Sequence, residues 1–182
     1  MKEIEVKARI DNADELVKKA QNFGFCFTEV TTQKDIIFLP EGIKFSEIRS
    51  GVPVVRVRNQ NGQKITLTLK KRLENELNKI EHEIVASDDV EAAKILENLN
   101  LYEVVRVDKN RREGHFNDLG ICIDEVEGLG SFVEMEKLCE EGDGLKIQAE
   151  LFALLKSFGV KDEDRVHNGY DTLIYNKLNP IR

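Results

Sequence analysis

The chain has 182 residues, of which 41% are hydrophobic and 34% are charged, and its formal net charge is −7. This composition indicates a globular protein with one buried core and excludes a disordered chain. The negative charge argues against general affinity for a nucleic acid backbone, although a local basic pocket can still bind a small anion.

The sequence also lacks the signals of a membrane, secreted or zinc-binding protein. No apolar run reaches the roughly 18–20 residues of a transmembrane helix, and the first ten residues contain no apolar signal-peptide stretch. Cys26, Cys122 and Cys139 lie far apart without CxxC spacing, and the three histidines are equally scattered. We therefore expect a cytoplasmic protein with reduced thiols and no zinc site.

The first third of the chain predicts strands around one helix. Residues 3–10 alternate strictly between charged and apolar side chains, which is typical of a strand. A helix follows, with Asn12 as its N-cap and Gly24 at its end. Further strands are predicted at 25–31, 34–39, 53–59 and 64–71. The last two strands form a hairpin whose turn contains Asn61-Gly62.

The remaining chain predicts four more strands and three helices. The strands fall at 79–86, 102–113, 119–125 and 131–138. A second helix begins at a Ser87 cap, with an apolar stripe of Val90, Ala93, Leu96 and Leu99. A third helix covers about 145–158 and ends at Gly159, and a short helix starts near Asp171.

Charged side chains share one face of almost every predicted strand, because residues i and i+2 of a strand point the same way. The basic members are Lys7, Arg56, Arg58, Lys70, Lys109 and Arg111. The acidic members are Glu3, Glu5, Glu81, Glu83, Asp124, Glu134 and Glu136. For any single strand, a sheet with one face in water is the simpler explanation of such a pattern.

Two observations favour an enclosed charged face over a solvated one. Neighbouring charges of the same sign repel each other unless something neutralises them. The helices are numerous enough to cover the apolar faces from outside. We therefore predict an α+β protein whose strands form a barrel with a polar, charged interior and helices packed outside.

The two sets of charges suit two kinds of ligand. Lysine and arginine bind phosphate oxygens, and carboxylates are hard ligands that prefer Mg²⁺ or Mn²⁺ to zinc. A polyphosphate together with a divalent cation would neutralise both sets. Other phosphate motifs are absent: there is no Walker A sequence, and Gly128-Leu129-Gly130 lacks the third glycine of a dinucleotide fingerprint.

Several segments, in this order, resemble a known family. They are Glu3-Ile4-Glu5-Val6-Lys7, Val54 to Arg58, Thr66 to Lys71, Ile80 to Glu83, Val107-x-Lys109-x-Arg111 and Asp124 to Glu136. The first segment matches the ExExK motif of the CYTH superfamily, the triphosphate tunnel metalloenzymes, and the similarity extends over nearly the whole chain. Length and the last segment are most similar to the class IV adenylyl cyclases.

The resemblance implies a single domain over residues 1–182, built as an eight-stranded antiparallel tunnel that holds a triphosphate and a divalent metal. It implies metal ligands at Glu3, Glu5 and either Glu134 or Glu136, and triphosphate contacts from the six basic residues. Glu3, Glu5 and Asp124 are the implied catalytic residues, and Glu81 and Glu83 are further tunnel acids. Family cyclases are typically homodimers. Ile37 departs from the family, which often carries an aromatic residue there.

The function expected from this resemblance is conversion of ATP into cyclic AMP and pyrophosphate, with Mg²⁺ or Mn²⁺ as cofactor. The alternative within the family is a triphosphatase acting on inorganic tripolyphosphate or thiamine triphosphate. A third hypothesis is a non-catalytic nucleotide- or polyphosphate-binding module, against which the many carboxylates argue. No nucleic acid or membrane partner is expected.

Overall fold

A computed structural model describes residues 2–48, 50–75, 78–139 and 143–180. Within these ranges the chain forms nine strands, four α-helices and two short 3-10 helices. The strands are β1 (Lys2–Arg9), β2 (Cys26–Pro40), β3 (Pro53–Gln60), β4 (Lys64–Asn75), β5 (Asn78–Ala86), β6 (Leu101–Phe116), β7 (Leu119–Val126), β8 (Gly130–Cys139) and β9 (Arg165–Val166). The helices are α1 (Ala13–Phe23), α2 (Asp89–Asn98), α3 (Gly144–Ser157) and α4 (Tyr170–Leu178).

All strands belong to one antiparallel sheet with the order β5-β4-β3-β2-β6-β7-β8-β1-β9. The predicted α+β class and antiparallel pairing are confirmed, but the sheet has nine strands rather than eight because β9 adds a short edge beside β1. Strand β1 also pairs with β5, at the other end of this order, through three pairs of described residues.

Local signals in the sequence explain most element boundaries. The side chain of Asn12 accepts a hydrogen bond from the Glu15 backbone N–H at 3.1 Å, as expected of an N-cap, and α1 ends at Gly24 with φ of 125°. Residues 61–63 connect β3 to β4, and Asn61 and Gly62 in this hairpin turn both have positive φ, which asparagine and glycine adopt readily.

Three local predictions were wrong. Residues 25–31 and 34–39 were expected as separate strands, but β2 is continuous because β6 pairs along almost its whole length. Helix α2 is capped by Asp88 instead of Ser87, since the Asp88 carboxylate reaches the Glu91 N–H at 2.8 Å. Val90 and Leu99 of the predicted apolar stripe are exposed, whereas Leu96 is buried as predicted and is joined by Ala92.

Helices α1 and α3 cover the apolar faces of β1, β7 and β8, as predicted. Leu16 and Ala20 of α1 and Leu155 of α3 pack with Val6 and Ile121 in the largest core cluster. Helix α2 packs in the same way on β3 and β4. Each strand residue buried here leaves its two neighbours on the opposite, charged face of the sheet.

Helix α4 differs from the prediction that the helices pack outside. Its residues Ile174 and Tyr175 pack with Ile37, Leu39 and other buried residues on the face that also carries the charged side chains. The reason is that this face becomes apolar at one end, and packing of α4 there removes Leu39 and its apolar neighbours from water. In the described ranges, none of the helices combines the length and apolar character required to cross a bilayer.

Candidate active site

The charged face of the sheet lines a cavity of about 300 Å³. Among the described residues, eight acidic and seven basic side chains line it. The acids are Glu3, Glu5, Asp35, Glu81, Glu83, Glu134, Glu136 and Asp171, and the bases are Lys7, Arg56, Arg58, Lys70, Arg72, Lys109 and Arg111. The nearly balanced lining can accept an anion and a cation together more readily than either alone.

Three carboxylates meet in one part of the cavity. Glu3 and Glu5 lie two residues apart on β1, and Glu136 of β8 is directly opposite Glu5. One carboxylate oxygen from each lies within 4.8 Å of the others. Burial and the charges of Glu3 and Glu5 raise the pKa of Glu136 to about 7. These hard oxygen donors fit Mg²⁺ or Mn²⁺, and a divalent cation would relieve the repulsion among them.

Glu134 has different surroundings from Glu136, although the two residues are neighbours on the same face of β8. Its carboxylate lies 2.9 Å from the Lys7 Nζ and accepts a hydrogen bond from Arg111. Burial alone would raise the pKa of Glu134, but Lys7 and Arg111 outweigh it and hold the pKa well below its usual range. Glu134 is therefore a buried counter-ion for two bases.

Asp124 lies behind the cavity lining. Its side chain is completely buried, and Arg111 donates to its two oxygens from Nε at 2.7 Å and from Nη2 at 2.5 Å. The Tyr170 hydroxyl donates to the same carboxylate at 2.9 Å. These contacts fix the guanidinium group of Arg111 in one orientation.

A second buried carboxylate, Asp35, holds Arg58 in the same manner. Arg58 donates from Nε and Nη2 to the two oxygens of Asp35, each at 2.7 Å. Burial would raise the pKa of Asp35, but the hydrogen bonds and charge of Arg58 outweigh it and lower that pKa. The two bonds use two of the five N–H donors of a guanidinium group, so the others can bind an anion.

Arg56 of β3 and Lys70 of β4 both reach acids on β5. Arg56 donates to the Thr68 hydroxyl at 3.1 Å and lies 3.6 Å from Glu83, whereas Lys70 lies 2.5 Å from Glu81. The Nε of Arg56 is buried and has no hydrogen-bond partner in the described structure. A buried N–H of this kind is costly unless a ligand or water accepts from it.

Tyr170, the first residue of α4, places an aromatic ring beneath two lysines. The Lys7 Nζ is 3.8 Å and the Lys109 Nζ is 5.0 Å from the ring centroid. Such contacts stabilise ammonium groups at low exposure. Burial and the nearby charge of Arg111 lower the pKa of Lys109 to about 8.

The structure brings together the residues selected from the sequence, with one exception. Twelve of the thirteen line the cavity, and Asp124 lies behind Arg111. The sequence reasoning missed Asp35, Arg72, Tyr170 and Asp171, which also line it. Asp35 follows the alternation of β2 and could have been found by continuing that strand, whereas no pattern marks the start of α4 as a cavity wall.

The fold therefore combines an antiparallel sheet that carries acids and bases on one face with helices α1, α2 and α3 on the other. The family model for the CYTH domain matches residues 1–170, and the chain belongs to this family.

Relatives agree with this assignment. A Methanocaldococcus jannaschii protein provisionally named adenylate cyclase is 30% identical over 173 residues, which cover 93% of this chain and 97% of that protein. The PH1819 protein of Pyrococcus horikoshii is 28% identical with a TM-score of 0.80, covering 96% of this chain and 99% of its own.

A Hippeastrum protein described as a candidate adenylyl cyclase with a dominant triphosphatase activity shares the fold. Its TM-score is 0.62 at 17% identity, and the match covers 98% of this chain and 97% of that protein.

Proposed function

We propose that this protein is a metal-dependent enzyme that binds ATP in the cavity and converts it into cyclic AMP and pyrophosphate. The observation that carries the proposal is that one cavity contains a cluster of three carboxylates and, beside it, seven basic side chains. The name of the Methanocaldococcus jannaschii relative, at 30% identity over almost the full length of both chains, supports the cyclase reaction.

The cavity would act as a tunnel. The pairing of β1 with β5 supports this, because it joins strands at opposite ends of the order β5-β4-β3-β2-β6-β7-β8-β1. Eight strands would then surround the charged residues and exclude bulk water from the phosphates. In such an environment each charge interaction is stronger than at an open surface.

Glu3, Glu5 and Glu136 would hold the divalent cation. Glu136 is the better third ligand than Glu134, because Glu134 is already the counter-ion of Lys7 and Arg111. A cation bound here supplies positive charge that lowers the pKa of an attacking hydroxyl group. Mg²⁺ and Mn²⁺ both suit three carboxylate oxygens.

The basic residues would bind and orient the triphosphate. Arg58 and Arg111 are fixed by Asp35 and Asp124, so their guanidinium groups are aligned before the ligand arrives. Lys7, held over the ring of Tyr170, adds a point charge. Orientation places the ribose 3′-hydroxyl in line with the α-phosphorus, and the same bases stabilise the pyrophosphate that leaves.

A second candidate is hydrolysis of the terminal phosphate of a triphosphate, and one observation favours it. Among the cavity-lining residues that the structure describes, Tyr170 is the single aromatic, and Lys7 and Lys109 lie against its ring. No aromatic surface in this lining is therefore left for an adenine base. A triphosphatase needs no such surface, since it recognises the phosphates alone.

Product analysis separates these candidates. The purified protein is incubated with ATP or tripolyphosphate and with Mn²⁺ or Mg²⁺, and products are resolved by ion-exchange chromatography. Cyclic AMP with equimolar pyrophosphate supports the cyclase, and orthophosphate from either substrate supports the triphosphatase. Metal-dependent binding of ATP with no product at all would overturn both and indicate a non-catalytic binding module.

Two variants show whether the cavity is responsible. Glu5→Ala should abolish metal-dependent turnover while the circular dichroism spectrum stays unchanged. Glu125→Ala is the matched control, because Glu125 is an exposed acid beside Asp124 on β7. Equal losses in the two variants would contradict the assignment, and unfolding of Glu5→Ala would make Glu5 a structural residue.

A further inference from the structure

Gly120 of β7 lies directly opposite Glu136 of β8, and Glu136 lies directly opposite Glu5 of β1. The side chain of Glu136 therefore has an acidic neighbour on one side and a residue with no side chain on the other. Gly120 is buried and does not have a positive φ, so the backbone itself does not require glycine here.

The space above Gly120 is filled by Glu136. A β-carbon added at position 120 would lie 2.8 Å from both Cγ and Oε1 of Glu136 and 3.2 Å from its Cδ. Carbon atoms in contact are normally about 3.5–4.0 Å apart, so these separations are too short. The three nearest atoms all belong to the Glu136 side chain, which can rotate, whereas the backbones of β7 and β8 are held by their ladder.

A side chain at position 120 would therefore displace the Glu136 carboxylate. Displacement away from β7 moves it toward Glu5, and like charges directly opposite each other are destabilising. The Glu136 carboxylate can therefore move only outward into the cavity. This movement takes its oxygen away from the carboxylate oxygens of Glu3 and Glu5, which now lie within 4.8 Å of it.

We infer that Gly120 is a positioning residue for the divalent cation, because its missing side chain leaves the space in which Glu136 lies beside Glu3 and Glu5. The inference rests on the proposed function only in taking these three acids as the cation ligands. Gly120 itself contributes no ligand and acts through Glu136.

The test is the Mn²⁺ affinity of the full chain with Gly120→Ala, measured by calorimetry and by electron paramagnetic resonance without nucleotide. Loss of a group that positions a ligand typically weakens metal binding by about 10- to 100-fold, and we expect a decrease of this size. Tripolyphosphate affinity in the absence of metal should stay within about twofold, because the three atoms nearest to the added β-carbon all belong to Glu136 and none to a basic residue. A general structural defect would lower both.

Two further variants make the result specific. In a Glu136→Ala background, Gly120→Ala should have no additional effect on Mn²⁺ affinity, because the atoms that it would strike are gone. Gly114→Ala is the matched control: its β-carbon would also meet atoms at 2.9 Å, but these belong to Ile121 and Phe27 in the apolar core. Gly114→Ala should lower stability and leave Mn²⁺ affinity unchanged.

The outcomes separate the inference from the proposed function. Wild-type protein that does not bind Mn²⁺ would contradict the proposed metal site. Wild-type protein that binds Mn²⁺, together with Gly120→Ala that binds it equally well, would overturn the inference alone. A crystal structure of Gly120→Ala with Glu136 in its original place would overturn it as well.

Discussion

The buried pair of Asp35 and Arg58 has an exposed counterpart in the same chain, and a comparison of the two isolates the effect of burial. The two hydrogen bonds of the buried pair are both 2.7 Å, and the side chains are 6% and 12% exposed. Arg106 donates to Glu103 in the same two-bond arrangement at 2.8 Å, but these side chains are 63% and 39% exposed.

Asp35→Asn should lower the free energy of unfolding by about 3–5 kcal/mol, the usual cost of a buried charge that loses its partner. Glu103→Gln should cost about 1 kcal/mol or less, because water solvates the remaining arginine. Since Arg58 lowers the pKa of Asp35 in the folded state, the contribution of this carboxylate is complete above the unfolded-state pKa of about 4. It is lost as the pH falls below that value toward the folded-state pKa.

Urea unfolding at pH 7 and at pH 3 measures both effects on the two variants and the wild type. The gap between Asp35→Asn and the wild type should be full at pH 7 and smaller at pH 3. Equal losses of unfolding free energy in Asp35→Asn and Glu103→Gln at pH 7 would refute the reasoning. The two-bond geometry of the ion pair, and not its burial, would then determine how much it stabilises the protein. Tripolyphosphate should stabilise Asp35→Asn at pH 7, since its charge replaces the missing carboxylate.

Three other predictions concern the cavity. Tripolyphosphate affinity without metal should fall as the pH rises above the Lys109 pKa of about 8, because Lys109 then loses its positive charge. The fall should be at most about tenfold per pH unit. Calorimetry should show that Lys109→Arg removes this part of the pH dependence. Tyr170→Phe should lower the free energy of unfolding by about 1.5–3 kcal/mol through loss of the hydrogen bond to Asp124, and an unchanged urea midpoint would contradict this. Glu136→Gln should weaken Mn²⁺ binding, measured by calorimetry, at least about tenfold with little loss of stability. Glu134→Gln should instead lower the free energy of unfolding in urea by about 3–5 kcal/mol. The reverse pattern would mean that Glu134 binds the cation and Glu136 is the buried counter-ion.

The cavity could be predicted from the sequence because its residues follow the two-residue period of strands. Once 3–10 is taken as a strand, the common face of Glu3, Glu5 and Lys7 follows without knowledge of the partner strands. The same rule placed Arg56 and Arg58 on one face.

What the sequence did not reveal depends on which strands are neighbours. The two acids on β8 look equivalent in the sequence. In the ladder with β1, however, Glu134 lies opposite Lys7 and Glu136 lies opposite Glu5. Asp124 was expected in the cavity, yet Arg111 and Tyr170 lie between it and the open space. Such distinctions require the register of the sheet, which alternation alone does not determine.

Helix ends show the same limit on a smaller scale. Ser87 and Asp88 are both good N-caps, and propensity does not choose between them. The choice depends on the packing of α2, which buries Ala92 and Leu96 and so sets where the helix begins.

The ladder between β1 and β5 has a consequence for how the protein exchanges with solvent. Among the residues that the structure describes, it contains three residue pairs, whereas β1 and β8 share eight. A short ladder opens locally at lower free energy than a long one, so its backbone amides should exchange with deuterium earlier than those between β1 and β8. Glu3 belongs to this ladder, so a cation bound to its carboxylate would slow that exchange and couple ligand occupancy to opening of the sheet at this junction.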